Sequence, residues 1–390
     1  MSRLDELIAD LCPDGVGRVR IDEICSITRG RVMSKDYIAE NVGDFPVYSS
    51  QTENNGELGH ISTYDFEGEH LTWTTDGANA GTVFYRTGKF SITNVCGLLK
   101  VTKDNILTRF LYYALSIEAS KHVNSGMGNP KLMSNVMARI TVPVPPLEVQ
   151  REIVRILDKF TALTAELQAE LQARKKQYEY YRELLMHFDN VAYVSIDTLF
   201  PFIRNGFVGT VTKHFSDKEN GIRYLEGTNI HNGVISDNEE LYVSKEFHKK
   251  HIKNELKAED ILMVQSGHIG ECAVVGEKYK GTNCHALIIM SNGGKCISKF
   301  YVHYFHTVEG KSHLKPAITD GNLKHVLAGK MSFVKVPFPA LEEQKRIVNI
   351  LDHFEGLCND ILSGLPAEIE ARQKQYEYYR DKLLTFKEKA

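Results

Sequence analysis

The sequence predicts an α+β protein in which two mixed, mostly β domains are separated by two long helices forming an antiparallel coiled coil, with an internal pseudo-two-fold. The first observation is a repeat: Lys176-Gln-Tyr-Glu-Tyr-Tyr-Arg182 recurs letter for letter as Lys374-Gln-Tyr-Glu-Tyr-Tyr-Arg380. The second is a long apolar heptad pattern before each copy, and the third is a set of short alternating runs in the segments between. A seven-residue identity with three tyrosines in a chain of 390 residues indicates an internal duplication.

The repeat extends upstream of the tyrosine-rich block. Residues 142–160 match residues 336–354 at a constant offset of 194, whereas the heptapeptides lie 198 apart, so the second copy holds four extra residues. We therefore predict a first domain at 1–143, a first helix at 144–188, a second domain at 189–337 and a second helix at 338–390. Since the helical parts are alike and the globular parts have diverged, two modules are expected to share a scaffold and differ in what they bind.

Both helical segments carry an apolar residue at every third or fourth position. This spacing, sustained over about four heptads, is typical of a coiled coil. Because one chain carries two such seams, each is expected to pack against the other. The four extra residues act as a stutter, and Gly364 followed by Pro366 predicts a helix break or kink there. The seam residues are Leu157, Phe160, Leu167, Leu171, Tyr178 and Tyr181 in the first copy, and Leu351, Phe354, Ile361, Tyr376 and Tyr379 in the second.

The globular segments alternate short apolar runs with polar, glycine-containing loops. Strands are predicted at 71–74, 82–85 and 97–101 in the first half and at 260–264 and 286–290 in the second. The loops span 51–56, 75–81 and 124–131, with counterparts at 228–233, 265–270 and 319–324. Such loops offer hydrogen-bonding groups to base edges and phosphates, but ordinary β-turns have the same composition.

Composition fits a folded protein, with 42% hydrophobic and 25% charged residues. The net charge of -3 does not favour a polyanion partner, although residues 191–337 carry 18 bases and 15 acids against 14 and 17 in residues 1–143. Local patches rather than the sum decide nucleic-acid binding. The acidic N-terminus and the lack of a long apolar run predict a cytoplasmic protein without a membrane segment.

No catalytic or metal-binding motif is recognisable. Seven cysteines without a Cys-x-x-Cys spacing argue against a disulfide framework and a zinc ribbon. The pairs His248 with His251 and His303 with His306 lack a third ligand at a recognisable distance. We expect no catalytic residues, no metal and no cofactor; a hydrolase using a histidine of the second half remains as an alternative.

The order of a variable module, the block Val-Pro-x-Pro-x-Leu-Glu-x-Gln-x-x-Ile-Val-x-Ile-Leu-Asp and a long helix, used twice, resembles the specificity subunit of type I restriction-modification systems. The blocks begin at Val142 and Val336, and the likeness covers the whole chain. The resemblance implies two target recognition domains, each reading one half of a split site in double-stranded DNA. It also implies helices that act as spacer and as docking surface for two modification subunits and, through them, restriction subunits. The protein would then be a non-catalytic part of a methyltransferase and endonuclease complex.

The resemblance to a specificity subunit directs attention to residues that could contact DNA. Half-sites on one DNA face lie about a helical turn apart, so helix length would set the spacing between them. The competing interpretation is a duplicated cytoplasmic coiled-coil scaffold without a DNA role, which the near-neutral charge favours. The candidates for phosphates are Arg29, Arg31, Lys35, Lys213 and Lys324, those for bases are Gln51, Asn54, Asn79, Asn229, Gln265 and His268, and Lys131 is a further DNA-binding candidate.

Overall fold

The structure is a computed structural model that describes residues 2–126, 128–320, 324–359 and 364–389, with the backbone alone at 358 and 359. The chain divides into two compact units. Unit 1 comprises Met1–Gln168 and Glu368–Ala390, and unit 2 comprises Ala169–Ala367. Each unit therefore combines one globular segment with the start of the helix that follows it and with the tyrosine-rich block of the other repeat.

The helices are α1 (Arg3–Leu11), α2 (Ile21–Ile24), α3 (Lys35–Glu40), α4 (Thr108–Glu118), α5 (Ser134–Met137), α6 (Leu147–Leu185), α7 (Lys245–Lys250), α8 (Ser298–Phe305), α9 (Val308–Leu314), α10 (Ala328–Met331), α11 (Leu341–Asn359) and α12 (Leu365–Leu383). Side-chain caps fix several of their starts. Ser2 and Asp5 form a capping box at α1, and Ser34, Ser244 and Thr307 accept from backbone N–H groups at α3, α7 and α9.

The strands of unit 1 are β1 (Arg18–Arg20), β2 (Cys25–Arg29), β3 (Phe45–Tyr48), β4 (Glu57–Ile61), β5 (Phe66–Glu67), β6 (His70–Thr74), β7 (Val83–Arg86), β8 (Lys89–Ile92), β9 (Cys96–Val101) and β10 (Thr141–Pro143). Those of unit 2 are β11 (Tyr193–Ser195), β12 (Phe202–Asn205), β13 (Gly221–Leu225), β14 (Ile230–His231), β15 (Val234–Ile235), β16 (Leu241–Ser244), β17 (Ile261–Val264), β18 (Cys272–Val274), β19 (Asn283–Cys284), β20 (Leu287–Ser291) and β21 (Lys335–Pro337).

The two units share most of their sheet topology despite their diverged sequences, although, in the part of the chain that the structure describes, β5 has no counterpart in unit 2 and the pair β14-β15 has none in unit 1. The order β2-β9-β6-β7 in unit 1 corresponds to β12-β20-β17-β18 in unit 2, and β1-β10 corresponds to β11-β21. The pairing of β3 with β4 and, in parallel, with β8 returns as β13 with β16 and, in parallel, with β19. All five predicted strands are present, shifted by at most two residues at either end.

Each unit packs a helix against its first sheet. In unit 1, α4 covers the sheet with Phe110 and Tyr113, and Ile153 and Leu157 of α6 join the same core. In unit 2, α8 does so with Phe300 and Tyr304, joined by residues of α11 that include Leu351. Burial of large apolar side chains at about 25 cal/mol per Å² is the main stabilising term in both cores.

The long helical segment is continuous in the first repeat, whereas the second repeat has two helices, α11 and α12. The helix α6 runs without interruption for 39 residues. In the second copy, α11 ends at Asn359 and α12 begins at Leu365. Gly364, at the predicted break, lies in a bend just before α12, and residues 360–363, with the seam residue Ile361, lie outside the described residues. The predicted fold class, α+β with mostly β domains separated by long helices, is confirmed.

Candidate nucleic-acid interface and helical surface

Three polar loops of unit 1 meet at one edge of its sheets. The amide Nδ2 of Asn79 donates to Oγ1 of Thr52 at 2.9 Å, which joins loop 75–81 to loop 51–56. Asp76 pairs with Lys131 in an isolated antiparallel bridge, which joins loop 75–81 to loop 124–131. The structure thus brings together Gln51, Asn54, Asn79 and Lys131, four of the residues that the sequence predicts to contact DNA.

Loop 51–56 has an unusual backbone. Asn54 and Asn55 have φ values of 47° and 54°, and Gly56 follows at 78°, so three successive residues are left-handed. Asparagine and glycine tolerate this region better than other residues, but consecutive left-handed residues cost free energy that the surroundings must offset. Gln51 donates its amide to the carbonyl oxygen of Glu57 and closes the loop.

A buried arginine that sequence reasoning missed supports this loop. Arg86 is 2% exposed, donates Nη2 to the Asn55 carbonyl at 2.8 Å and Nε to Oγ1 of Thr72 at 3.1 Å, and lies 3.6 Å from the ring centroid of Tyr48. Burial lowers the pKa of Arg86. One signal in the sequence could have marked Arg86, which is a positively charged residue at the end of a predicted strand.

The other candidates of unit 1 have protein partners. The Arg29 guanidinium donates to the Asn94 carbonyl at 2.8 Å, and the Arg31 guanidinium lies 3.0 Å from the Asp65 carboxylate. The hydrogen bond from Arg31 to the Tyr37 hydroxyl raises the pKa of the arginine. Lys35 is exposed at the start of α3. Arg29 and Arg31 would have to share or exchange these partners to contact a phosphate.

Unit 2 joins its loops by the same bridge with other side chains. Ser266 pairs with His325 as Asp76 pairs with Lys131, and Val326 N donates to the Gln265 carbonyl as Leu132 N donates to the Thr75 carbonyl. The turn glycines also correspond, with φ of 95° and 85° at Gly77 and Gly81 and of 79° and 87° at Gly267 and Gly270. Topology is therefore kept where the chemistry differs.

A cavity of about 420 Å³ lies beside these loops in unit 2. His231, Ser266, His268 and His285 are among its lining residues, and the rings of His231 and His268 are 6.4 Å apart. Gln265 precedes Ser266 in the bridged segment, and Lys324 precedes His325. Imidazole and hydroxyl groups around an open cavity can donate to or accept from base edges.

Two candidates of unit 2 are placed differently. Asn229 is 1% exposed; its Oδ1 accepts from Glu226 N and its Nδ2 donates to the carbonyls of Ser236 and Asn238. Its buried amide is used within this turn, so Asn229 would have to give up these hydrogen bonds to contact a base. Lys213 lies exposed in a 3-10 turn at Thr212–His214, apart in sequence from loop 265–270.

The three tyrosines of each heptapeptide have three different environments. Tyr181 stacks on Phe354 in unit 2 with ring centroids 5.4 Å apart, and Tyr379 stacks on Phe160 in unit 1 at 5.5 Å. Tyr178 and Tyr376 face the globular part of their own units, where burial raises the pKa of both hydroxyls. Among the other seam residues, Leu157, Leu167 and Leu351 are buried and Leu171 is half-buried.

The remaining tyrosine of each block is exposed. Tyr180 is 63% and Tyr378 is 62% exposed, and each packs edge-on against the stacked tyrosine that follows it. Lys382 Nζ also lies 6.0 Å from the centroid of the Tyr378 ring. Exposed aromatic residues at equivalent positions of a repeat are typical of binding surfaces rather than of cores.

One group of metal-ligand residues comes together, and the sequence did not show it. Ligand atoms of His303, Asp352 and Glu355 lie within 4.8 Å of one another. Lys299 Nζ is 2.7 Å from the Glu355 carboxylate and so supplies the countercharge that a cation would supply. Of the six cysteines whose side chains are described, all are buried and free. A search of the described residues for a helix long and apolar enough to cross a bilayer finds none.

Comparisons with known proteins match this arrangement. The family described as "Type I restriction modification DNA specificity domain" matches the chain twice, at residues 13–174 and 193–371. A putative type I specificity subunit of Mycoplasma pneumoniae is 33% identical over 93% of this chain and 96% of its own length. The specificity subunit of the type I restriction enzyme MpnII from the same organism is 47% identical over 43% of this chain and 52% of its own.

A solved structure shows the same fold. The crystal structure of a type I restriction-modification system S subunit from M. genitalium superposes with a TM-score of 0.58 over 94% of this chain and 96% of that one, at 13% identity. The family matches both repeats, and the first of these relatives aligns over nearly the whole length. The chain therefore belongs to the family of type I restriction-modification DNA specificity subunits.

Proposed function

We propose that the protein recognises a bipartite DNA target, with one globular domain per half-site, and has no catalytic role of its own. The observation that carries this is the repeated bridge: Asp76 with Lys131 and Ser266 with His325 hold equivalent loops with different side chains. Equivalent frames that present different hydrogen-bonding groups are what two readers of different half-sequences require.

The proposed contacts divide by unit. In unit 1, Asn54, Asn79 and Lys131 are exposed on adjoining loops. In unit 2, His268 and Lys324 are exposed and Gln265 is half-buried. We assign the amide and imidazole side chains to base edges and the lysines, with Lys35, to phosphates.

The test is to map methylated sites in a host that carries this chain and its modification partner. Asn79→Ala should reduce methylation of one half-sequence class while the other half-sequence stays unchanged, because the substitution removes the Thr52 contact and one amide on unit 1 alone. His268→Ala should do the reverse, and Ser116→Ala, on α4 and in none of the three loops, is the control. A uniform fall at all sites for both variants would contradict the division into two readers.

Spacing between the half-sites gives a separate test. Deleting one heptad between residues 160 and 174 should change the number of base pairs between half-sequences and leave both sequences unaltered. Changed half-sequences at constant spacing would contradict the role of the helices as spacer.

We further propose that the two tyrosine-rich blocks dock two modification subunits, and through them restriction subunits. Exposed Tyr180 and Tyr378 would anchor equivalent contacts, since aromatic side chains contribute much of the free energy at interfaces. Tyr180→Ala should weaken binding of one subunit and Tyr180→Ala with Tyr378→Ala that of both, by about 2 kcal/mol per site, measured by mass photometry of the assembled complex. Lys176→Ala, at another position of the same block, is the matched control; full assembly of the double variant would contradict the proposal.

A further inference from the structure

A second cavity of unit 2, of about 320 Å³, collects charged side chains that the proposed function does not use. It lies between α6 and the globular part of the same unit. Its charged lining residues are Lys175, Glu179, Arg182, Glu271, His306 and Lys311.

Two of these groups neutralise each other. His306 is 8% exposed; its Nδ1 lies 2.7 Å from the Val302 carbonyl and its Nε2 lies 3.3 Å from the Glu271 carboxylate, so acceptors face both ring nitrogens. Burial alone would lower the pKa of His306, but Cys272, Glu271 and the Val302 carbonyl raise it. The hydrogen bond to His306 lowers the pKa of Glu271 to about 2. Each group thus favours the charged form of the other, so this pair offsets its own charge.

The remaining cations have no such partner. Among the described residues, no ion pair within 4 Å joins Lys175, Arg182 or Lys311 to a carboxylate, although Lys311 is near enough to Glu271 to help lower the pKa of that carboxyl. The only other acid of the cavity is Glu179. Arg182 Nε is buried without a hydrogen-bond partner, and its guanidinium lies 5.2 Å from the ring centroid of Tyr178. The cavity therefore has an excess of positive charge and an unused buried donor.

The other heptapeptide shows that this arrangement is not a property of the repeated sequence. Arg380, which corresponds to Arg182, is 2.8 Å from the carboxylate of the next residue, Asp381. The acid that follows Arg182 is Glu183, and both its carboxylate oxygens accept from Val308 N, at 3.0 and 3.2 Å. Among the described residues, the identical block thus has an arginine paired with a carboxylate in unit 1 and an arginine without a carboxylate partner in unit 2.

We propose that this cavity of unit 2 is a binding site for a phosphate-class oxyanion held by Arg182, Lys175 and Lys311. A tetrahedral oxyanion offers acceptors to all three cations and to the free Nε at once, and charge-assisted hydrogen bonds of this kind are the strong ones. A phosphate of the DNA backbone and a free phosphate ion share this chemistry. The site does not depend on the proposed division of half-sites.

The first experiment measures thermal unfolding of the full chain against inorganic phosphate at constant ionic strength, with chloride as the balancing salt. Wild type and Arg380→Gln should show a saturable rise in Tm, because a ligand that binds only the folded state stabilises it. Arg182→Gln should need about tenfold more phosphate for the same rise, and Lys311→Gln should fall in between. A rise of equal size in Arg182→Gln, or no saturable rise in wild type, would overturn the proposal.

The second experiment separates the two sources of phosphate. If a DNA phosphate occupies the site, Arg182→Gln lowers the slope of log K against log salt for duplex binding by about 1 relative to Arg380→Gln, and inorganic phosphate competes with DNA. If the free ion is the ligand, the slope stays the same and the thermal difference persists.

Discussion

The two units attach their helices to their globular parts through equivalent positions with different chemistry. In unit 1, the Asp158 carboxylate of α6 accepts from the Tyr113 hydroxyl at 2.5 Å and from Arg109 Nε at 2.8 Å. In unit 2, the equivalent Asp352 of α11 lies 3.0 Å from Nε2 of His303. The repeated block Ile-Leu-Asp thus presents the same carboxylate to a tyrosine in one unit and to a histidine in the other.

The side chains around these two carboxylate pairs also differ between the units. Thr161 of unit 1 is 3.4 Å from the Tyr113 hydroxyl, whereas Glu355, at the corresponding place in unit 2, pairs with Lys299 at 2.7 Å. The Tyr178 hydroxyl also lies 3.2 Å from Nδ1 of His303. The comparison teaches that both helices keep the carboxylate of the Ile-Leu-Asp block, while the side chains around it differ on helix and module alike and still match donors with acceptors.

The largest expected effect on unfolding free energy comes from Gln150, the glutamine of the repeated block in unit 1. Gln150 is fully buried; its Nε2 donates to the carbonyls of Pro145 and Asn105 at 2.8 and 2.9 Å, and its Oε1 accepts from Leu107 N at 2.9 Å. Gln150→Leu leaves the buried Pro145 carbonyl, the Asn105 carbonyl and the half-buried Leu107 N–H without this partner. We expect unit 1 to lose about 3 kcal/mol of unfolding free energy, measured by urea unfolding with the fluorescence of Trp73, the single tryptophan.

Two controls sharpen this prediction. Gln344→Leu removes the equivalent amide from unit 2, where Nε2 donates to Pro339 O and Oε1 accepts from Ile297 N, and should leave the Trp73 transition of unit 1 in place. Gln168→Leu changes an exposed position of α6 by the same substitution and should have little effect. Equal losses at Gln150 and Gln168 would show that the buried amide has no special role.

The sequence predicted this glutamine block but not its partners. Its spacing before an apolar heptad marked the start of a helix, and the strands followed from local alternation, which depends on neighbouring residues only. The partners of Gln150 at Asn105 and Leu107 lie more than 40 residues away along the chain, and no local pattern encodes them.

The same reason limits what the sequence showed of the sites. Loops 51–56, 75–81 and 124–131 were predicted as a set because each contains polar and glycine residues, but the bridge between Asp76 and Lys131 that joins two of them is a long-range pairing. The burial of Asn229 could not be foreseen, because the sequence of a polar loop does not show whether an amide is already hydrogen-bonded within the turn. Arg182 and Lys311 could not be associated before folding placed α9 beside α6.

The tyrosine of unit 1 is tested by a smaller change. Tyr113→Phe removes one donor from Asp158 and leaves Arg109 in place, so we expect a loss of about 1 kcal/mol in unit 1. Trp73 fluorescence in urea measures it, and Tyr112→Phe, whose hydroxyl has no such bond to Asp158, is the control. If Tyr113→Phe lowered the unfolding free energy as much as Gln150→Leu, Arg109 by itself would not be enough to keep the Asp158 carboxylate in place.

The histidine of unit 2 gives the smallest effect, seen only as a pH dependence. Burial lowers the pKa of His303 below its ordinary 6.5, although the hydrogen bond to Asp352 opposes this. The unfolded chain therefore takes up the proton first, and the stability that neutral His303 contributes above pH 6.5 is lost as the pH falls toward its lower folded pKa. His306 contributes with the opposite sign, because its folded pKa is raised.

Comparing wild type with His303→Gln at pH 7 and pH 5.5 by hydrogen exchange of unit 2 peptides cancels the contribution of His306, since both proteins retain it. Wild type should lose more protection from exchange than the variant on acidification. Tyr113, the equivalent residue of unit 1, does not titrate in this range, because burial raises the pKa of its hydroxyl. Parallel losses in both proteins would show that a histidine at this position does not make stability depend on pH.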